Sequence, residues 1–567
     1  MHRTPLPHAL VLCALLLPAA AFGQTESRIV VKAGRKAPPA PAGDQGAPRL
    51  VVLLVADQFR AENLRRYAPW FSSGGFPRLL SRAAVATGHY GQQNTYTGPG
   101  HAIIATGSYG YLSGITQNKF FNRRIGRSEA MMFDPEATIL GEKEGGPEEE
   151  TSPRNLVGST LGDQLRLQQP AAKVIAVALK GRGSILLGGH LGTAYFFSEQ
   201  TGGMTTSTYY MKTLPDWVQR WNARRLADTY FGKKWERLLP ESAYTAQDAS
   251  PYEMDIRGLG RTFPHPLTGK LSAPGPAFYE VLTHAPAGLE LQMDFVLTAL
   301  DAEQLGRRGT TDLLGISWSA TDLVGHAFGP DSQEYQDIVL RLDRVLAQLL
   351  QELDRRFRPG EVLLVFTADH GAAPIPEWMA AQKVQAGRIT KATIKQTVGK
   401  ALSERFGIAG DWVVAAEDPS LYLDEKLVQK AKADPAEVED AAGRAALQIP
   451  GIIGYLTRTQ LLRGWLPPTE AARAVARSYF PARGGDVVLI TAPFYFWGKY
   501  GEKEQGSTHG SFYRYDTDVP VILSGPWFVP GHHGTIDMVD LAATLSHVLG
   551  LTPPSACEGR PIQRLLK

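Results

Sequence analysis

The chain of 567 residues carries 59 Lys and Arg against 56 Asp and Glu, a formal net charge of +3, with 43% hydrophobic and 20% charged residues. This near balance excludes strong non-specific attraction to nucleic acid or to an anionic membrane, and the composition excludes a disordered chain. The length suits one large α/β domain with insertions, or two or three ordinary domains.

Arg3 precedes an apolar stretch at residues 9–22, ALVLCALLLPAAAF, which is short for a bilayer span. Ala21-Phe22-Gly23 then places small residues where a signal peptidase cuts. Residues 1–23 are therefore predicted to be a signal peptide, with Gln24 as the new start and a periplasmic or secreted product. No Arg-Arg pair precedes the run, which favours the general secretory route. Cys13 lacks a lipobox and leaves with the signal, so Cys557 is left without a partner and no internal disulfide is expected. Residues 24–48, with KAGRKAPPAPAGDQGAP at 32–48, read as a flexible lead-in to a domain over 49–567.

Short continuous apolar runs follow at 50–56, 174–179, 313–318, 362–367, 487–491 and 519–523. Such runs suit strands buried on both faces of a mostly parallel sheet. The acidic run EKEGGPEEE at 142–150 reads as a solvated loop. Tyr335, Ile338, Leu342, Val345, Leu349, Leu353 and Phe357 recur at helical spacing and predict a helix over 332–357. Asp331 and Glu334 are expected to cap it, and Pro359-Gly360 to stop it. A second helix is predicted over 536–549, ended by Gly550. Alternating strands and helices argue an α/β fold. Two stretches break the rhythm, 193–285, with a hairpin signal at Thr201-Gly202-Gly203, and 375–485. Both are expected to be insertions capping the active edge of the sheet.

Several buried runs end directly in metal-ligand residue types. The first leads into Asp57, the 313–318 run into Asp322 and His326, and the 362–367 run into Asp369-His370. Open α/β sheets place their functional site outside the carboxyl ends of the strands, so these residues are expected to converge there. His509, in the loop GSTHGS, can join them. Six carboxylate and imidazole donors are too many for one tetrahedral zinc and fit two ions with open positions. Each pair alone occurs by chance; the joint placement after buried strands carries the reading.

Thr97 lies in YTGPGHA, where Gly98 and Pro99 mark the entry to a helix. A helix N-terminus favours phosphate, and metal coordination lowers the pKa of a hydroxyl enough to make a nucleophile. Taken alone, Thr97 would be a helix cap. Lys180-Gly181-Arg182 follows the 174–179 run, and an extended segment there would turn both cations to one side, toward one anion. Taken alone, they would be a solvated basic pair. Asn118, in ITQNKFF, is a third candidate phosphate ligand.

The ordered motifs LLVADQF, YTGPGHA, ITQNKFF, LKGRGSILLGGH, SATDLVGH, FTADHG and GSTHGSFYRYDTDVPVIL resemble the alkaline phosphatase superfamily, within it the bacterial phosphate-irrepressible group that uses threonine. The resemblance runs from Leu50 to about Pro561. It implies a mostly parallel sheet sandwiched by helices, with insertions near the site. It implies one Zn2+ on Asp322, His326 and His509, and another on Asp57, Asp369, His370 and Thr97. Thr97 would be the nucleophile, and Asn118, Lys180 and Arg182 would bind the phosphate oxygens. The chain departs from the family around Asn118, where Ser113-Gly114-Ile115-Thr116-Gln117-Asn118-Lys119 has lost a glycine and gained a cation.

The expected reaction is hydrolysis of phosphate monoesters through a phosphothreonine intermediate, with minor diesterase activity. Three cationic or amide donors beside two ions suit the dianion of a monoester better than the monoanion of a diester. A phosphodiesterase or nucleotide pyrophosphatase is the enzymatic alternative, and a metal-stabilised binding protein for phosphate compounds the non-enzymatic one. A sulfatase is disfavoured because no Cys-x-Pro-x-Arg motif is present. Small-molecule monoesters are the expected partners, and the resemblance suggests a monomer.

Overall fold

A computed structural model describes residues 46–143, 145–498 and 505–567. The expected signal peptide at 1–23 and nearly all of the lead-in lie outside the described residues.

Five of the six apolar runs contribute strands to one nine-stranded sheet. Its order is Gly531–Asp537, Ala84–His89, Asp518–Ser524, Val362–Thr367, Leu50–Ala56, Asp312–Trp318, Val174–Ala178, Thr193–Phe197 and Met204–Thr205. The middle of the sheet is parallel, with Leu50–Ala56 in register between its two neighbours, and all seven residues of that strand are buried. Strands buried on both faces need helices on both faces, which is why they read as unbroken apolar runs. Helices flank this mostly parallel sheet, as expected for the α/β class.

Within this mostly parallel sheet one of the apolar runs is reversed. The 519–523 run lies in Asp518–Ser524, which runs antiparallel to both neighbours, Val362–Thr367 and Ala84–His89. Burial on both faces produces the same apolar run in either direction, so the pattern does not encode it. The reversal has a positional effect. A loop preceding a parallel strand emerges at the opposite edge, whereas the loop preceding a reversed strand emerges beside the carboxyl ends of the others.

The expected boundaries of the insertions also shift. Thr193–Phe197 and Met204–Thr205 belong to the main sheet, joined by the turn that Thr201-Gly202-Gly203 predicted. The run at Val487–Thr491 does not join the main sheet. It pairs with Ser420–Leu423 and Ile452–Thr457, and Val413–Glu417 completes a separate four-stranded antiparallel sheet. This sheet packs on helices Lys391–Phe406 and Pro435–Ala446 around its own apolar core, which includes Ile394, Trp412 and Leu489. A second core explains why 487–491 looked like a main-sheet strand.

The long helix forms over Gln333–Arg356. Its cap is Ser332, whose hydroxyl accepts from the Tyr335 N–H at 3.0 Å, and not the expected Asp331–Glu334 pair. Asp331 is engaged by Arg66 and lies 3.6 Å from Arg60. The second predicted helix forms over Asp540–Leu549, with Gly550 left-handed at φ 64° as its stop; the residues before it include the edge strand Gly531–Asp537.

Candidate active site

Asp57 directly follows the central strand, and Asp369 and His370 follow its neighbour. Asp322 and His326 sit one turn apart on the helix Ala320–Phe328, which starts as the Asp312–Trp318 strand ends. Residues at i and i+4 share a helix face, so both point to the same edge. His509 arrives in the loop before the reversed strand. The result is two groups of donors: Asp322, His326 and His509 in one, Asp57, Asp369 and His370 in the other, with ligand atoms in each within 4.8 Å of one another.

The imidazoles are aimed by the backbone. The Nδ1–H of His326 donates to Ser507 O at 2.7 Å, that of His370 to Gly371 O at 2.8 Å, and that of His509 to Thr95 O at 2.7 Å. With Nδ1 so engaged, each ring directs Nε2 toward the carboxylates: His326 Nε2 is 3.3 Å from Asp322, and His370 Nε2 is 3.3 Å from Asp57. Hydrogen bonding at one ring nitrogen fixes which nitrogen can ligate. The His370 and His509 rings stack at 3.5 Å, which brings the two groups side by side.

The carboxylates also act on the protonation of the rings. Burial opposes charge on His370, but Asp369 and Asp57 outweigh it and hold its pKa up at about 9. Burial and the neighbouring His370 push His509 down to about 3. Asp57 Oδ1 and Asp369 Oδ2 are buried and accept no hydrogen bond. A cluster of dry carboxylate oxygens and convergent imidazole Nε2 atoms is a donor set that fits first-row divalent cations.

Thr97 opens the helix Thr97–Thr106, and its hydroxyl lies 3.4 Å from His370 Nε2. The Gly98 N–H donates to Asn118 Oδ1 at 2.8 Å, so the amide of Asn118 is held at the N-terminus of the Thr97–Thr106 helix. Gly100 is required there: a Cβ would stand 2.1 Å from the Asp369 carbonyl oxygen. The structure thus brings Thr97 and Asn118 to the donor groups.

Lys180 and Arg182 also reach this edge, but not along an extended segment as expected. The helix Gly181–Gly188 begins directly after Lys180, which separates their directions. Lys180 Nζ donates to Asp57 Oδ2 at 2.8 Å and to Asp322, so it spans one carboxylate of each group. Arg182 turns instead to Glu150, which accepts from both its backbone N–H, at 2.6 Å, and its guanidinium. The acidic run is therefore not simply a solvated loop.

Two supporting residues carried no recognisable pattern in the sequence. Gln58 adopts a left-handed backbone conformation, φ 64°. Its N–H donates to Asp369 Oδ1 at 3.2 Å and its side-chain amide to Asp322 Oδ1 at 3.1 Å, so it ties both groups together. His101 donates from Nδ1 to Thr97 O and shares a second hydrogen bond with Ser317, each at 2.9 Å, pinning the first turn of the helix to the sheet. The only hint of either was its place inside LLVADQF or YTGPGHA.

Comparison with known proteins agrees with this geometry. The sequence profile of the type I phosphodiesterase / nucleotide pyrophosphatase family matches residues 51–512. A Myroides odoratus protein named calcium-transporting ATPase is 34% identical over 92% of this chain and 95% of its own length. Alkaline phosphatase PhoV of Synechococcus elongatus is 32% identical over 92% and 93%. Alkaline phosphatase PafA of Elizabethkingia meningoseptica is 32% identical over 92% and 94%. The crystal structure of wild-type PafA superposes with a TM-score of 0.85 at 32% identity, covering 93% of this chain and all of that one. The chain belongs to the alkaline phosphatase superfamily, in the type I phosphodiesterase / nucleotide pyrophosphatase family, alongside the PafA and PhoV alkaline phosphatases.

Proposed function

We propose that this metal-dependent alkaline phosphatase hydrolyses small-molecule phosphate monoesters by way of a phosphothreonine formed on Thr97. The observation that carries the reading is the Thr97 hydroxyl at a helix N-terminus, 3.4 Å from His370 Nε2 and beside both donor groups. Two Zn2+ ions are the proposed cofactors, one on Asp57, Asp369, His370 and Thr97, the other on Asp322, His326 and His509. When bound, they supply Lewis-acid charge that lowers the pKa of the hydroxyl and neutralises the departing oxygen.

The chain's own groups do the rest. The Thr97 oxygen attacks phosphorus, a Thr97 O–P bond forms, and the bond to the leaving alcohol breaks. Water then attacks the phosphothreonine in line, releasing phosphate and restoring the hydroxyl. Asn118 binds a non-bridging oxygen through its amide, held by Gly98. Lys180 and Arg182 balance the remaining charge of the dianion, which a diester does not present in full. That difference favours monoesters over the diesters in the family's name, with diester cleavage as a side reaction. The ATPase part of the Myroides relative's name fits the same chemistry, since a terminal phosphate also has three free oxygens. Among the described residues no helix is long and apolar enough to cross a membrane; export to the periplasm or medium rests on residues 1–23.

The test is Thr97→Ala, assayed for phosphate release and for metal content. Turnover is expected to vanish while bound metal stays near the wild-type level. Undiminished phosphate release would remove Thr97 from its role. Aryl monoester and bis-aryl diester rates on the wild type complete the test; faster diester cleavage would replace the monoesterase reading.

A further inference from the structure

The acidic run at 142–150 touches the site at two places. Glu148 pairs with Lys119, the residue next to Asn118. Glu150 pairs with Arg182. The segment is fastened at both ends of this span: the Ala130 N–H donates to Pro147 O at 2.6 Å, and the Thr151 N–H to Met132 O at 2.8 Å. Its position is therefore set by the hairpin Lys119–Asn122 and Arg127–Ala130 that follows Asn118.

Glu150 grips Arg182 by two different groups. One carboxylate oxygen takes the backbone N–H in the first turn of the helix Gly181–Gly188, and the other takes Nη1 of the guanidinium. The pair is mostly enclosed, with Glu150 16% and Arg182 24% exposed. Packing is close as well, since a Cβ on Gly181 would lie 3.0 Å from the Glu150 Cβ. A guanidinium has five N–H donors in a fixed plane. Once Nη1 is bound from outside, the orientation of that plane is set. Glu150 takes Nη1 of the guanidinium and accepts no hydrogen bond from its other nitrogens, of which Nε is buried without a hydrogen bond, so the clamp leaves guanidinium donors uncommitted.

We propose that Glu150 is a positioning residue for Arg182: it fixes the guanidinium plane so that the remaining donors face the phosphate, and thereby sets the preference for monoesters over diesters. The proposal rests on Arg182 being a phosphate ligand. A free arginine must lose side-chain freedom on binding the dianion, whereas a clamped one has already lost it. A diester offers fewer charged oxygens to the guanidinium and gains less from that ordering.

The experiment measures kcat/KM for an aryl monoester and a bis-aryl diester on wild type, Glu150→Ala, Glu150→Gln, Arg182→Ala and the double variant Glu150→Ala/Arg182→Ala. Thermal denaturation of each confirms a folded chain. Glu150→Ala is expected to cost the monoester about tenfold and the diester less than about twofold. Glu150→Gln keeps the shape and one acceptor, and should recover part of the loss. In the Arg182→Ala background, Glu150→Ala should change little, because the group it orients is gone. Equal losses on both esters would overturn the proposal, as would a full additive loss in the double variant. A faster monoester rate in Glu150→Ala would also overturn it, since Glu150 would then compete with phosphate. If Arg182→Ala itself spares the monoester, the reading of Arg182 as a phosphate ligand fails instead.

Discussion

Lys180 shows how one side chain serves a site made of opposing charges. Burial works against its ammonium, but Asp322 and Asp57 outweigh that and hold its pKa above the ordinary lysine value. Lys180→Ala is expected to lower monoester kcat/KM by roughly a hundredfold, the typical cost of one charge-stabilising donor, and to lower diester cleavage much less. Parallel losses in steady-state assays of both esters would show that Lys180 serves the carboxylates alone. Asp57, Asp322, His326, Asp369 and His370 were legible in the sequence because they follow buried apolar runs, which name their own carboxyl ends, whereas His509 showed only as a histidine in a glycine- and serine-rich loop ahead of such a run. Gln58 and Glu150 were not legible. Gln58 acts through a backbone conformation that no pattern announces, and Glu150 meets Arg182 across a separation of 32 residues.

Among the elements, the helix Ala320–Phe328 is held from above by the segment that contains Glu253. The Met254 N–H donates to Ala327 O at 2.8 Å, and the Gly506 N–H to Tyr252 O at 2.6 Å, so this segment joins the helix of His326 to the loop leading to His509. Glu253 is buried there, with Oε2 unpaired. Burial, with Glu334 and Asp248 nearby, pushes its carboxyl from 4.5 up to about 10. Such a group binds its proton more tightly in the folded chain. Its contribution to stability is complete below the unfolded pKa and is lost as pH rises through the folded one. Glu253→Gln should therefore flatten the fall in melting temperature between about pH 4.5 and about pH 10. Thermal denaturation across that range decides it; curves of equal slope would mean Glu253 titrates as an exposed carboxyl does. Of these elements the sequence revealed the existence and often the ends, as with Gly550. Strand direction stayed hidden, because Val519 and Ile522 are as buried in a reversed strand as in a parallel one.

At the scale of the whole molecule, the described residues include a large sheet core and a smaller four-stranded sheet whose own core surrounds Trp412. The two meet beside the site: Gln93 donates to Leu489 O at 2.9 Å, and Gln117 to Ser420 at 3.2 Å. Three fully buried aspartates, Asp57, Asp322 and Asp369, come together at the carboxyl edge of the main sheet. Burying like charges together is costly unless cations balance them. Chelation should therefore do more than stop turnover. It is expected to lower the melting temperature by several degrees, with added zinc restoring both stability and activity. Loss of activity with an unchanged melting curve would mean that the lysine and histidines alone balance the aspartates. The four-stranded sheet was the least legible part at this scale, since Val487–Thr491 has the composition of a main-sheet strand and only its partners distinguish it.

The reversed strand also sets a timetable. Asp57 emerges from the ribosome early, but His509 can take its place only when Asp518–Ser524 threads between strands already laid down on either side. A polypeptide arrested before residue 505 would own every donor of one group and only Asp322 and His326 of the other. On the proposed two-ion reading such a chain is expected to lack turnover, because one group would be a donor short.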